Sequence, residues 1–236
     1  MSTKSFLSLS ALLFSCVLLF SYFQPSIQSV AANATAKAPI TVVIDAGHGG
    51  KDVGAVGING AFEKDLNLLF ASTLAEIFRE NGARVILTRE SDELVLKAGE
   101  ENAPSKKACD VRNRTEIANS AGCDLFISLH MNSFPTEKYK GFEAYYSPNA
   151  PESRLYAERI QEKVKERHEP ESRRVARMSD KIYLLANAEC PAVLLECGFL
   201  SNGEDAQKLS SKDYQKELCF SIFCAIMEVK EKLEVR

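Results

Sequence analysis

Short apolar runs alternate with longer amphipathic stretches along most of the chain. The apolar runs are four to six residues long and several are rich in β-branched residues, a pattern typical of buried strands. They predict strands at residues 40–45, 84–88, 125–129, 141–146, 182–185 and 192–196. Between them, apolar residues recur every three or four positions, which predicts helices at residues 64–81, 110–119, 151–168 and 212–233. Residues 90–108 and 170–180 are predicted to be loops.

The order of these elements predicts the fold class. Strands that alternate with helices form a largely parallel or mixed central sheet whose two faces are covered by the helices. We therefore expect a single α/β domain at residues 40–232, with about six strands and with helices on both faces. In such sheets, ligands bind in the crevice beyond the carboxyl ends of the strands.

The amino terminus has a different pattern and predicts a targeting segment. Lys4 is followed by an apolar run from about residue 6 to residue 23, and then by polar residues and a small-x-small site ending at Ala31 or Ala32. We expect a signal peptide at residues 1–32 and a short linker at residues 33–39. An uncleaved anchor over residues 5–23 and a lipoprotein site at Cys16 are the alternatives. Each places the domain outside the cytoplasm, and we expect it in the periplasm, or else secreted or signal-anchored.

Charge and cysteine content narrow the class of protein. Removing residues 1–32 takes away one of 29 basic side chains and none of 32 acidic ones, which leaves 28 against 32 and a formal charge of −4. This balance offers no electrostatic case for nucleic-acid binding. The six remaining cysteines are an even number, which permits disulfides, but a chain this long does not require them and none shows C-x-x-C spacing. We expect buried thiols, with disulfides as the alternative.

Candidate ligands follow two of the predicted strands. The stretch TVVIDAGHGG at residues 41–50 ends a buried strand in three glycines around His48, as if the chain must turn tightly and leave the imidazole uncovered. His130 stands at the carboxyl end of another apolar run, and Glu63 begins the helix that follows the glycine-rich stretch. Two imidazoles and one carboxylate are a common zinc set that leaves a fourth position for water. The third histidine, His168, is expected to be a solvated helix end.

A separate carboxylate stands at the end of a third strand. Glu196 closes the apolar run AVLL, where a charge is costly unless it has a partner or a task. At this edge it could take a proton from water and return it to a leaving amine. Each residue also has a plainer interpretation: a loop histidine for His48, a helix-dipole carboxylate for Glu63, a core histidine for His130 and an ion-pair partner for Glu196.

Four sequence blocks together resemble a known family. They are DAGHGGKDVGA at residues 45–55, EKDLN at 63–67, SLHMNS at 128–133 and PAVLLECGFLSN at 191–202. In this order they are similar to the signature blocks of the zinc-dependent N-acetylmuramoyl-L-alanine amidases of type 3 (the AmiC/CwlV-like class). The resemblance extends from about residue 40 to about residue 230. It also includes Arg89, Asp92 and Arg114.

The resemblance implies a function and a set of roles. His48, Glu63 and His130 would bind Zn²⁺, Glu196 would be the catalytic acid/base, and Asp45, Asp52 and Asn132 would be candidates to support the ligands. The substrate would be the amide between N-acetylmuramic acid and L-alanine in peptidoglycan or muropeptides. An activator protein is a possible partner, and neither nucleic acid nor stable membrane contact after signal cleavage is expected.

Two further expectations concern access and specificity. Residues 134–152 are too short to hold the inhibitory helix of some family members, so the site is expected to be open. Ala186 stands where the family often has a basic residue, and its substitute could be one of four nearby basic residues, Arg173, Arg174, Arg177 and Lys181.

Two rival functions use the same residues differently. A cysteine amidase would use Cys197 as its nucleophile with a histidine as base. A non-catalytic peptidoglycan-binding protein would keep the fold without turnover. Loss of activity with a chelator would exclude the first, and the effect of Glu196→Gln would decide the second.

Overall fold

The computed structural model describes residues 39–235. The predicted signal peptide, and all but the last residue of the predicted linker, lie outside the described residues and stay predictions. The described part contains six strands: β1 Thr41–Ala46, β2 Arg84–Leu87, β3 Leu125–Asn132, β4 Glu143–Tyr146, β5 Arg177–Met178 and β6 Ala192–Phe199. It also contains six α-helices: α1 Glu63–Glu80, α2 Lys106–Ala121, α3 Pro151–His168, α4 Tyr183–Asn187, α5 Gly203–Leu209 and α6 Lys212–Glu234.

The strands form one mixed sheet in the order β2-β1-β3-β6-β4-β5. The four strands β2, β1, β3 and β6 run parallel, β4 is antiparallel to β6, and β5 pairs in parallel with β4. Side chains alternate between two cores. Val42 and Ile44 of β1 pack in the larger core with apolar residues of α1, α3 and α6, while Val43 faces a smaller core formed with α2 and α4. The predicted fold class is confirmed.

Three local predictions in this part of the chain are wrong or incomplete. Residues 182–185, predicted to be a strand, lie largely in the short helix α4, because a four-residue apolar run has no period that separates helix from strand. The edge position belongs instead to β5, inside the predicted loop 170–180. Helix α2 begins at Lys106, four residues before the predicted start, because Ser105 caps it by accepting the amide of Ala108.

Helix α5 is absent from the sequence-based prediction, although its signal was present. Asn202 accepts the backbone amides of Glu204 and Asp205, which is an ordinary N-cap. His168 is the last residue of α3, as predicted, but it is only partly exposed: its Nε2 lies 2.9 Å from Ser221 Oγ and its ring contacts Tyr214 edge-on. Within residues 39–235, no helix has both the length and the apolar character that a membrane span requires.

Candidate active site

The structure brings the four predicted site residues to one end of the sheet. His48 lies in the turn after β1, Glu63 is the first residue of α1, His130 is on β3 and Glu196 is on β6. In the parallel register of β3 and β6, His130 lies directly opposite Glu196. Both side chains belong to the smaller-core face of the sheet, because their neighbours Leu129 and Leu195 pack in the larger core.

Three of these residues form a compact cluster of possible metal ligands. Glu63 Oε1 lies 3.1 Å from His48 Nε2 and 2.9 Å from His130 Nδ1. One ligand atom from each residue lies within 4.8 Å of the other two. Glu63 is buried, whereas the two imidazoles keep 16% and 17% of their side-chain surface exposed. The cluster is therefore mostly buried and can still be reached from solvent.

The turn after β1 has the conformation that the glycines of this stretch predicted. His48 has a φ of 61°, in the left-handed region that L-residues rarely adopt. A Cβ at Gly47 would lie 2.3 Å from Cε1 of His130, and a Cβ at Gly54 would lie 2.4 Å from Oε2 of Glu63. Both glycines are thus needed because ligand side chains pass directly against their backbone.

Hydrogen bonds orient the ligand side chains. His48 donates Nδ1–H to Asp52 Oδ2 at 2.9 Å, which leaves Nε2 free to face Glu63. The other carboxylate oxygen of Glu63 accepts the amide of Ala55 at 2.8 Å. Of the three residues expected to support the ligands, Asp52 is the one with a hydrogen bond to a ligand side chain. Asn132 instead donates to a glutamate on β4.

Asp45 supports the site through Arg114. This arginine of α2 is almost fully buried and donates to Asp45 Oδ1, to both carboxylate oxygens of Asp110, and to the carbonyls of Ala46 and His48. Burial works to lower the pKa of Arg114, but the two carboxylates outweigh it and raise that pKa above its usual value. The guanidinium therefore stays charged and holds the backbone of the His48 turn.

We expect Arg114→Met to destabilise the fold strongly, because it leaves Asp45 and Asp110 buried without their partner. The cost of breaking such a buried pair is about 3–5 kcal/mol, which corresponds to a fall in Tm of about 10 °C for a domain of this size. Thermal unfolding followed by circular dichroism measures it.

The matched control for Arg114 is Arg112→Met on the same helix. Arg112 has 44% of its side chain exposed and pairs with Glu100 at the surface, so its loss is expected to cost less than about 1 kcal/mol. Equal Tm values for the two variants would contradict a structural role for Arg114.

A row of charged side chains crosses the sheet beside the cluster. Glu143 of β4 lies opposite Glu196 of β6, which in turn lies opposite His130. Glu143 is buried and accepts hydrogen bonds from Asn132, Tyr145, Arg174 and Arg177. Arg174 and Arg177, two of the candidates to contact substrate, are therefore paired with Glu143 in the structure.

Sequence reasoning missed Glu143. Its signal was a single carboxylate within a short apolar strand at residues 141–146, the same signal that identified Glu196. The two differ in their partners. Glu143 is surrounded by donors, whereas Oε2 of Glu196 is buried and has no hydrogen-bond partner among the described residues.

The electrostatics separate the roles of the carboxylates. Burial raises the pKa of Glu196 to about 7, assisted by the negative charges of Glu63 and Glu143 and opposed by His130. Burial also acts to raise the pKa of Glu63, but hydrogen bonds from His130 and His48 outweigh it and hold that pKa far below the usual value. Burial would lower the pKa of His130, and its hydrogen bond to Glu63 raises it overall. Glu63 is thus a permanent anion, and Glu196 can exchange a proton near neutral pH.

A cavity of about 170 Å³ opens beside the two imidazoles. Its other walls include Lys107 and Val111 of α2, residues 182–184 at the start of α4, and Leu194 of β6. The segment that was predicted to be too short for an inhibitory helix, residues 134–152, begins beside the residues that follow β6 and beside α5. Phe134 donates its amide to Ser201 Oγ, and Lys140 pairs with Glu204. No residue of 134–152 lines this cavity.

Comparisons with known proteins agree on one family. A family profile described as N-acetylmuramoyl-L-alanine amidase matches residues 42–228. The chain is 36% identical over 186 residues to the germination-specific N-acetylmuramoyl-L-alanine amidase of Bacillus subtilis (strain 168), covering 79% of this chain and 78% of that protein.

Solved structures show the same similarity. The CwlD amidase from Clostridioides difficile, determined in complex with the GerS lipoprotein, has a TM-score of 0.77 and 34% identity, and the match covers 84% of this chain and all of that chain. The catalytic domain of CwlV, an N-acetylmuramoyl-L-alanine amidase from Bacillus (Paenibacillus) polymyxa var. colistinus, has a TM-score of 0.67 and 30% identity, covering 84% of this chain and 99% of that one.

Proposed function

Because the chain belongs to the N-acetylmuramoyl-L-alanine amidase family, we propose that it hydrolyses the amide between N-acetylmuramic acid and the L-alanine of peptidoglycan in a zinc-dependent reaction. The observation that carries this proposal is the convergence of His48, Glu63 and His130 beside Glu196. These residues come from separate parts of the fold: the turn after β1, the start of α1, β3 and β6. Their meeting at the carboxyl edge of a parallel sheet is what a catalytic centre requires.

The residues present fit a zinc ion. Two imidazole nitrogens and a carboxylate oxygen converge, and one imidazole is oriented by the hydrogen bond to Asp52, as is common for zinc-binding histidines. Glu63 is held ionised, so the set has the charge that a divalent cation needs. When bound, zinc would act as a Lewis acid that polarises the amide carbonyl and lowers the pKa of water.

Glu196 is the group that moves protons. Burial raises its pKa to about 7, and its buried oxygen has no hydrogen-bond partner in the described part of the chain, so it accepts the proton of the attacking water. It then donates that proton to the departing nitrogen of L-alanine. Glu143, which pairs with Arg174 and Arg177, lies opposite Glu196, and its negative charge acts to raise the pKa of Glu196.

The cysteine mechanism is disfavoured by the placement of Cys197. Its thiol lies in the larger core, only 1% exposed, on the opposite face of the sheet from Glu196. Burial raises the pKa of this thiol well above its usual value, which opposes the thiolate that a nucleophile needs.

An activator protein is proposed as a partner. The CwlD amidase was solved in complex with the GerS lipoprotein, and the candidate site of this chain adjoins a cavity beside two partly exposed imidazoles. An assay of the purified chain on sacculi, with and without an extract of extracytoplasmic proteins, tests this, and a rate unchanged by every fraction contradicts it. The similarity to the germination-specific amidase of B. subtilis supports a role in germination for this chain.

Export is also part of the proposal. Peptidoglycan lies outside the cytoplasm, and the sequence of residues 1–32 predicts a signal peptide that would deliver the domain there, to the periplasm or the exterior. Amino-terminal sequencing of the mature protein tests it. A first residue at position 1 would contradict cleavage.

The proposed reaction predicts a specific set of products. Digestion of purified sacculi should release peptides with a new free L-alanine amino terminus and leave the glycan strands intact. Mass analysis of the soluble products measures both. Cleaved glycan, or peptides cut at any other bond, would contradict the assigned specificity, and denatured enzyme is the control for spontaneous release.

A further inference from the structure

Two cysteines lie close together at the amino ends of the central strands β3 and β6, at the opposite end of the sheet from the active site. Cys123 stands just before β3 and Cys190 just before β6, the two strands that carry His130 and Glu196. Their sulfur atoms lie 2.8 Å apart. The cysteines are 67 positions apart in the sequence, so this contact comes from the fold and not from local geometry.

The backbone around both cysteines is held by contacts that do not involve the sulfurs. Asp124 donates its amide to the carbonyl of Thr41 and accepts the amide of Thr41 in return. Phe126 donates to the carbonyl of Pro191 and so joins the two strand starts. The sulfurs are therefore brought together by the fold before any bond forms.

The loop that carries Cys190 is tied to the end of α2. Asn119 accepts the amide of Glu189 at 3.0 Å and donates to the carbonyl of Asn187 at 3.0 Å. This pair of hydrogen bonds fixes the position of the residue immediately before Cys190.

We propose that Cys123 and Cys190 form a disulfide bond that joins the amino ends of β3 and β6. The thiolate of Cys190 attacks one sulfur of an oxidising disulfide, either a small molecule such as oxidised glutathione or a thiol–disulfide oxidoreductase, and expels one thiolate. Cys123 then attacks Cys190 Sγ and expels the oxidant's second sulfur. The two cysteines lose two electrons and two protons, and the oxidant leaves as two thiols.

The surroundings suit this order of attack. Cys190 is half-buried, whereas Cys123 is only 7% exposed. A hydrogen bond from Cys123 lowers the pKa of the Cys190 thiol, which makes Cys190 the first thiolate. A cavity of about 360 Å³ adjoins Cys123, between β3 and the end of α6.

Paired cysteines can also bind a metal ion, but that requires further ligands beside the two sulfurs, and none is found here within residues 39–235. Within residues 39–235, the one group of three or more metal-type ligands is the cluster of His48, Glu63 and His130. The pair also differs from the other cysteines. No other two cysteine sulfurs of the described residues lie within hydrogen-bonding distance of each other. This pair therefore departs from the sequence-based expectation of buried thiols.

The test uses the purified chain, incubated with oxidised glutathione or with reductant, then denatured and alkylated. We expect the oxidised sample to have two fewer reactive thiols, and peptide mapping to find Cys123 linked to Cys190. Closing a loop of this length is expected to raise Tm by about 10 °C over the reduced protein.

Two variants make the result decisive. Cys190→Ser should lose both the thiol difference and the reductant-dependent shift in Tm. Cys224→Ser, which removes another half-buried thiol, should keep both. Equal thiol counts in the two samples, a link to any other cysteine, or a Tm shift that persists in Cys190→Ser would overturn the proposal. None of these readouts uses amidase activity, so they are independent of the proposed function.

Discussion

Replacing Glu196 with glutamine is expected to lower the rate of amide hydrolysis by about 10²–10⁴-fold, the usual contribution of a positioned acid/base. Glutamine keeps the size of the side chain and removes only its ability to accept a proton from water. Because the buried Oε2 of Glu196 has no hydrogen-bond partner within residues 39–235, the fold should be retained. Release of peptides from sacculi measures the rate, and circular dichroism measures Tm.

The control for this variant is Glu204→Gln on α5. Glu204 is exposed and pairs with Lys140 and Lys208 at the surface, so its replacement should leave turnover within about twofold of the parent. If Glu196→Gln digests sacculi as fast as the parent, Glu196 is not the proton carrier. If both the parent and Glu196→Gln bind sacculi without digesting them, the non-catalytic alternative is correct.

Replacing His130 with alanine is expected to abolish both bound zinc and activity. The variant leaves one imidazole and one carboxylate, and a two-ligand site holds zinc far more weakly than a three-ligand site. The loss of affinity should exceed the 10–100-fold that is typical when only a supporting hydrogen bond is removed. Zinc content per chain, measured by atomic emission after dialysis, tests the ligand role separately from catalysis.

The third histidine supplies the matched control. His168 is hydrogen-bonded to Ser221 and lies outside the cluster, so His168→Ala should keep the zinc content of the parent. Chelation of the parent enzyme should abolish activity, and added zinc should restore it. A His130→Ala variant with the parent's zinc content would refute the assigned ligand set, and activity that survives chelation would refute zinc dependence.

The position of Glu196 explains how one site can contain carboxylates with opposite pKa shifts. Glu63, Glu143 and Glu196 lie close together, yet Glu63 and Glu143 are each paired with positive or hydrogen-bonding groups. For Glu196, burial and the negative charges of Glu63 and Glu143 outweigh the opposing effect of His130 and raise its pKa, whereas hydrogen bonds from the two histidines lower the pKa of Glu63. Environment therefore separates a metal ligand from a proton carrier among residues of the same type.

Arg114 shows that the site depends on residues that contact no ligand side chain. Through one guanidinium, α2 holds Asp45 on β1 and the carbonyl of His48 in the turn beyond it. The guanidinium of Arg89 also donates hydrogen bonds to the carbonyls of Ala46 and Gly47. The unusual φ of His48 is maintained by these bonds, because the turn could otherwise relax to a less strained conformation.

The sequence by itself determined the fold class and the residues of the candidate site. Both follow from local patterns: buried strands appear as short apolar runs, and a parallel sheet brings the ends of those runs to one edge. His48, His130 and Glu196 each end or follow such a run, so their neighbourhood could be predicted without coordinates. The limits of this reasoning also appear locally, in the apolar run at residues 182–185, which has no period and forms a helix.

Only the tertiary structure decided the pairing of residues that are distant in the chain. Strand register places Glu143 and His130 on either side of Glu196, and long-range packing brings Asp45 and Asp110 to Arg114 and Cys123 to Cys190. Such contacts depend on how elements are aligned in space, and a one-residue shift in register would turn each side chain to the opposite face. The sequence pattern does not specify that alignment, which is why the partners of Glu143 and the pairing of the two cysteines became visible only in the folded chain.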